Sequence, residues 1–122
     1  MKYQDIIHYA LNKRGAYETY PFGPVPICVK VCNRIFLQGY WTDKKKMMTV
    51  KCDMMTGDFY RNLFPEAVVR GYHCPPVQQP YWNTVYLEKD VPDHEIYNMI
   101  DHAYEVVVNK LSLKKRIELE RQ

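Results

Sequence analysis

Glycine is scarce in this chain, with five in 122 residues, and none opens a Gly-rich phosphate-binding run. That argues against a nucleotide cradle of the kind built from backbone amides at a helix start. There is no Gly-x-Ser-x-Gly elbow and no His-Glu-x-x-His pair. Those absences remove the commonest hydrolase and zinc-protease patterns, so a non-enzymatic protein is expected. Long apolar runs are missing as well. A membrane span needs ~18–20 apolar residues, yet the segment Val25–Val31 is already broken by Pro26 and Lys30. The start Met1-Lys2-Tyr3-Gln4-Asp5 puts an acid where a secretory signal is apolar. These features predict a cytoplasmic chain without a membrane partner.

The four cysteines, Cys28, Cys32, Cys52 and Cys74, form no Cys-x-x-Cys pair, so the zinc-ribbon pattern is lacking. Cys28 and Cys32 lie four steps apart on a predicted strand, ~13 Å at ~3.3 Å per residue. A disulfide needs Cα atoms within ~7 Å, so reduced thiols are expected. His94 and His102 fall eight apart on one predicted helix, ~12 Å along its axis. No metal and no cofactor is expected.

Charge of one sign is not abundant either. Seventeen Lys and Arg face fourteen Asp and Glu, for a net charge of +3. The distribution is uneven. Residues 1–66 hold ten bases and six acids, and residues 67–122 hold seven bases and eight acids. The densest cationic run is Lys44-Lys45-Lys46, between two predicted strands.

What the chain does have is apolar content (47%) typical of a globular domain and a length suited to one, here residues 1–122. Tyr3, Ile6, Ile7, Ala10 and Leu11 make a helical stripe and predict a helix over 3–13, closed by Gly15. Ile27, Val29 and Val31 alternate with Cys28, Lys30 and Cys32, as a strand does. A turn at Asn33-Arg34 leads into a strand over 35–41, and Met47–Cys52 returns as a third. A short helix over 56–63 and strands over 68–72 and 82–87 follow. Between those strands lies the 74–80 segment, whose three prolines forbid ladder pairing and make it a loop. Asp93 is expected to cap the longest helix, to about residue 110, and Ser112 a last one. The fold class is therefore α+β in two layers, in the order α-βββ-α-ββ-α-α. About five strands form an antiparallel sheet, with helices packed on one face.

Aromatic residues stand out, since eleven of the seventeen are Tyr. With the strands in their simplest register, Lys30, Lys51 and Cys28 share a sheet face with Tyr40 or Trp41. Such a face suits nucleic acid, and nearly as well a peptide partner.

Several segments carry a family resemblance: Tyr20-Pro21-Phe22-Gly23, Gly71-Tyr72-His73, Trp82-Asn83-Thr84-Val85-Tyr86-Leu87, Val91-Pro92-Asp93-His94-Glu95-Ile96-Tyr97 and Ile100-Asp101-His102-Ala103-Tyr104. In this order and spacing, and with the closing Lys114-Lys115-Arg116 helix, the chain resembles the MmcQ/YjbR family of small bacterial proteins. The resemblance implies a YjbR-like α+β domain of double-wing type and a DNA-binding role. It departs at Cys74–Tyr81, where relatives carry a His-Met-Asn-Lys-like segment and a His before the Trp. One positive charge is thereby lost, and weaker phosphate binding is expected.

Three readings follow. The first is DNA binding through backbone phosphates, by Lys30, Arg34, Lys44, Lys45, Lys46, Lys51, Arg70 and His73. The second is a protein-interaction module that uses the Tyr- and Trp-rich surface and the 74–80 proline loop. The third is a small-molecule pocket at Tyr20, Phe22, Trp82 and Asn83.

Overall fold

A computed structural model of the chain describes residues 3–122. Helix α1 (Tyr3–Leu11) leads into strands β1 (Tyr17–Thr19), β2 (Ile27–Val31), β3 (Arg34–Trp41) and β4 (Lys46–Lys51). Helix α2 (Met54–Leu63) precedes β5 (Val68–Arg70), a single 3-10 turn (Gln79–Tyr81) and β6 (Trp82–Tyr86). Helices α3 (Asp93–Asn109) and α4 (Leu113–Glu120) close the chain. The strands form one fully antiparallel sheet in the order β1-β2-β3-β4-β6-β5.

Six strands stand where about five are predicted. The addition is β1, a three-residue edge strand that pairs Tyr17 with Lys30 and Thr19 with Cys28. Too short to show alternation, it exists only because β2 offers it a free edge. The first hairpin turn also moves by one residue. Val31 pairs with Arg34, and Cys32 and Asn33 turn with φ of 48° and 65°. Positive φ at both central residues marks the tight hairpin turn whose twist matches the strands.

Helix α1 ends at Leu11 with its apolar stripe, two residues short of the boundary expected from the Gly15 closure. Pro92, not Asp93, occupies the cap position of α3, and Asp93 lies in the first turn. Ser112 caps α4 as expected, its hydroxyl accepting from the Lys115 amide at 3.2 Å. Asp53 caps α2, accepting from the Thr56 amide at 2.7 Å. Chiefly through the Thr56 amide, its carboxyl is held below the usual range. The sign is that of a depressed acid: the stabilisation is present above the unfolded pKa and is lost as pH falls through the folded one. Asp53→Ala should therefore cost about 0.5–2 kcal/mol at neutral pH, and the deficit should shrink in urea titrations carried to acid pH.

One face of the sheet, with Ile27, Val29, Leu37, Met48, Val50, Val68 and Val85, packs against Ile6, Ala10, Ile96, Ile100 and Ala103 of α1 and α3. The hydroxyl of Tyr9 donates to Asp101 at 2.6 Å, and Lys13 also bonds Asp101, so α1 and α3 are pinned to each other. A bulge shifts the register between Val29 and Lys30: Val29 pairs with Leu37 and Lys30 with Ile35, leaving Phe36 as the extra residue. Phe36 and Leu37 are consequently both fully buried, and Phe36 meets Tyr104 of α3 edge-on at 5.5 Å. The extra residue also returns Ile35 to the opposite face, beside Gln38 and Tyr40. That face carries the site described next.

Candidate functional site

The helix-free face of the sheet is not bare. Gly71 through Tyr81 folds back over it, held where the Gly71 amide donates to the Trp82 carbonyl at 2.9 Å and Gln79 Nε2 donates to the Cys74 carbonyl at 3.0 Å. A side chain at position 71 would crowd this approach. A Cβ on Gly71 would stand 3.0 Å from Trp82 Cβ and 3.3 Å from Cys74 Sγ. Between this loop, the loop bearing Phe22 and Pro26, and the sheet lies an open cavity of about 410 Å³. Its walls are largely apolar or aromatic: Phe22, Ile35, Tyr40, His73, Pro75 and Trp82. Polar groups converge at one point in it. Gln38 Oε1 lies 3.4 Å from the Tyr40 hydroxyl, which donates to it, and 3.3 Å from His73 Nε2. Burial pushes the His73 imidazole below its ordinary pKa, which favours the neutral ring.

Of the four residues predicted to form a pocket, Phe22 and Trp82 line this cavity. Tyr20 does not; it is exposed, and its hydroxyl donates to Glu18 at 3.1 Å. Asn83 belongs to the opposite face. Strand alternation turns it towards α2, where it donates to the Gly57 carbonyl at 3.1 Å and accepts from Arg61 at 2.6 Å.

The predicted basic residues do not gather into one patch. Lys51, opposite Trp82 in the ladder, lies 4.9 Å from the Trp82 ring centroid and 5.8 Å from that of Tyr81. Lys110, at the end of α3, reaches the same Tyr81 ring at 5.8 Å. Arg34 acts on Lys51 as a further like charge, and Lys30 lies opposite Ile35 at this end of the sheet. Burial, reinforced by Lys110 and then Arg34, pushes the Lys51 ammonium below the usual lysine range. Among the described residues, no carboxylate forms an ion pair with Lys51, Lys110 or Arg34. Repulsion without a counter-charge leaves a standing demand for an anion.

Lys44, Lys45 and Lys46 occupy the other end of β3, roughly 20 Å away along the strand. Lys46 is already engaged there, 3.8 Å from Glu88 and 5.1 Å from the Trp41 ring centroid. Arg70 is exposed on the edge strand β5, and His73 belongs to the cavity wall. The ladder does put Tyr40 on the sheet face of Cys28, Lys30 and Lys51, as the simplest register has it, but Tyr40 is not a ring that touches Lys51. The rings in contact with it are Trp82, its ladder partner in β6, and Tyr81, the last residue of the 3-10 turn that leads into that strand. Sequence reasoning missed Lys110 altogether, since a cation in the last turn of a helix reads as a complement to the helix dipole.

All four cysteines are free thiols; Cys52 is buried, and burial raises its pKa to about 11. No described group of three or more His, Cys, Asp or Glu side chains is placed to hold a metal ion. No described helix is long and apolar enough to cross a membrane.

A family model described as YjbR matches residues 11–106. Two relatives called uncharacterized protein YjbR, from Escherichia coli K12 and O157:H7, are each 24% identical over 116 residues, covering 95% of this chain and 95% of their own. Among solved structures, a Deinococcus radiodurans protein with a DUF419 domain superposes with a TM-score of 0.86 at 24% identity, over 96% of this chain and 86% of that one. A Pseudomonas syringae protein gives 0.68 at 18% identity, over 87% and 98%. These two likenesses establish a shared fold.

Proposed function

The chain belongs to the YjbR family, and from that premise we propose that it is a non-enzymatic DNA-binding protein that grips backbone phosphates. One observation carries the reading: Lys51 packs on the Tyr81 and Trp82 rings, Lys110 reaches the same Tyr81 ring, Arg34 adds a further like charge, and no described carboxylate pairs with any of the three. Cations in that setting attract a polyanion, and the rings add surfaces on which bases can stack. The β3–β4 hairpin then acts as a wing, with Lys44 and Lys45 at its tip as a second, looser contact. Tyr81, which ends the altered loop, supplies a ring to Lys51 and Lys110, so the loop that lacks the basic residue still contributes to the contact.

A fluorescence titration of the whole chain with labelled duplex at two salt concentrations tests this reading. Binding should weaken as salt rises, with log affinity falling by about 0.9 for each phosphate contact per unit of log salt. Undetectable binding at low salt would overturn it.

A second reading, a protein-docking surface, is favoured by the exposure of Phe22 (66%), Tyr72 (69%) and Val77 (79%) around the proline loop. Salt-independent failure to bind DNA, with the loop intact, would bring it forward.

A further inference from the structure

The cavity beside Lys51 is unexplained by phosphate contacts alone. About 410 Å³ places it at the small end of small-ligand sites, which run from ~300 to ~1,000 Å³. Its lining contains four rings, of Phe22, Tyr40, His73 and Trp82, and no carboxylate or ammonium. Besides the Cys74 thiol, its polar groups are the amides of Gln38 and Gln78, the Tyr40 hydroxyl and the His73 imidazole. Those are the groups that read the edge of a heterocycle. Trp82 belongs at once to the cavity wall and to the cationic end, through Lys51. Ile35, likewise in the wall, pairs with Lys30. A ligand matched to this shape has a flat, uncharged aromatic body and an anionic group on the side facing Lys51.

With the backbone phosphate held at Lys51 as proposed above, we infer that the cavity receives one unstacked nucleobase, inserted between the rings of Phe22, Tyr40 and Trp82. Base and phosphate are the shared chemistry of a single strand and of a free nucleotide. A paired base within an undistorted duplex cannot enter, because its faces are covered by its neighbours and its edge by its partner. Phe22 sits on an exposed loop and can close over the base, whereas Tyr40 and Trp82 project from the sheet and fix the slot.

The test compares a short labelled thymidine oligonucleotide with a duplex of the same length, and adds thymidine monophosphate as competitor. Electrostatics by itself favours the duplex, whose charge density is higher. The expected result is tighter binding of the single strand. Phe22→Ala should lower strand affinity by about tenfold or more while duplex affinity stays within about twofold, and Trp82→Ala, which also removes the ring beside Lys51, should lower strand affinity by at least as much. Trp82→Phe, which keeps a ring, should retain most of the strand affinity. Phe22→Ala decides the matter even where Trp82→Ala does not fold, because Phe22 lies outside the core. Displacement of the strand by the monophosphate upholds the slot and extends it to free nucleotides. Loss in Phe22→Ala without such displacement upholds it for strands. Equal losses on strand and duplex, or none on either, would overturn the slot and leave the phosphate reading intact. Binding of the monophosphate with no binding of duplex or strand would uphold the slot and overturn the DNA reading.

Discussion

Replacing Arg34, Lys51 and Lys110 together with alanine should lower affinity for duplex DNA about a thousandfold if each cation meets a phosphate. Each charge-assisted contact is worth ~1.5 kcal/mol or more, and ~1.4 kcal/mol is a factor of ten. The slope of log affinity against log salt should shrink by up to ~0.9 for each cation that meets a phosphate, about 2.7 for the three. The loss should be the same across unrelated sequences, since phosphate contacts position a protein without reading bases. Replacing Lys44, Lys45 and Lys46 should have the smaller effect, because Lys46 is already turned to Glu88 and Trp41. Replacing Lys44, Lys45 and Lys46 should not alter stability in urea by more than about 1 kcal/mol, since charges at an exposed hairpin tip contribute little to folding. Lys51 adds a pH signature. Its ammonium loses its proton at a lower pH than an ordinary lysine, because burial and then Lys110 oppose its charge. Binding should therefore begin to weaken below the ~10.4 at which exposed lysines titrate. Unchanged affinity and slope in the Arg34, Lys51 and Lys110 triple variant would rule out this end of the sheet as the contact.

Phe36→Ala is expected to be the most damaging core substitution, at about 3–5 kcal/mol. The ring is fully buried and meets Tyr104 edge-on, so its loss leaves a void between sheet and α3. Ile35→Ala should cost less than about 2 kcal/mol, because that side chain lines an open cavity and is only half-buried. Simple alternation along β3 puts Phe36 on the face of Gln38 and Tyr40 and reverses the ranking. Urea unfolding of the two variants, compared at constant m-value, measures the bulge directly.

The elements themselves are legible in the residues. Stripes such as Ile96, Ile100, Ala103 and Val107, and the alternation of Ile27, Val29 and Val31, require a helix and a strand whatever surrounds them. The cap at Ser112 and the prolines of the 74–80 loop act within a few residues, so their effects are local and readable. The segments on which the family resemblance rests are contiguous for the same reason. What is paired over long range is not legible. Strand β1 has no pattern of its own and is held by the edge of β2. The bulge at Phe36 arises because a second large side chain is needed against Tyr104, a demand made by α3 from across the core. The same distinction runs through the site. Lys30, Arg34, Lys51 and Lys44–Lys46 were recognisable as bases, and Phe22 and Trp82 as rings. Tertiary structure separated the two ends of β3, added Lys110 to one of them and turned Asn83 into the opposite layer. Charge and aromaticity belong to the residue, but their concentration at one place depends on which distant backbone segments the core brings side by side.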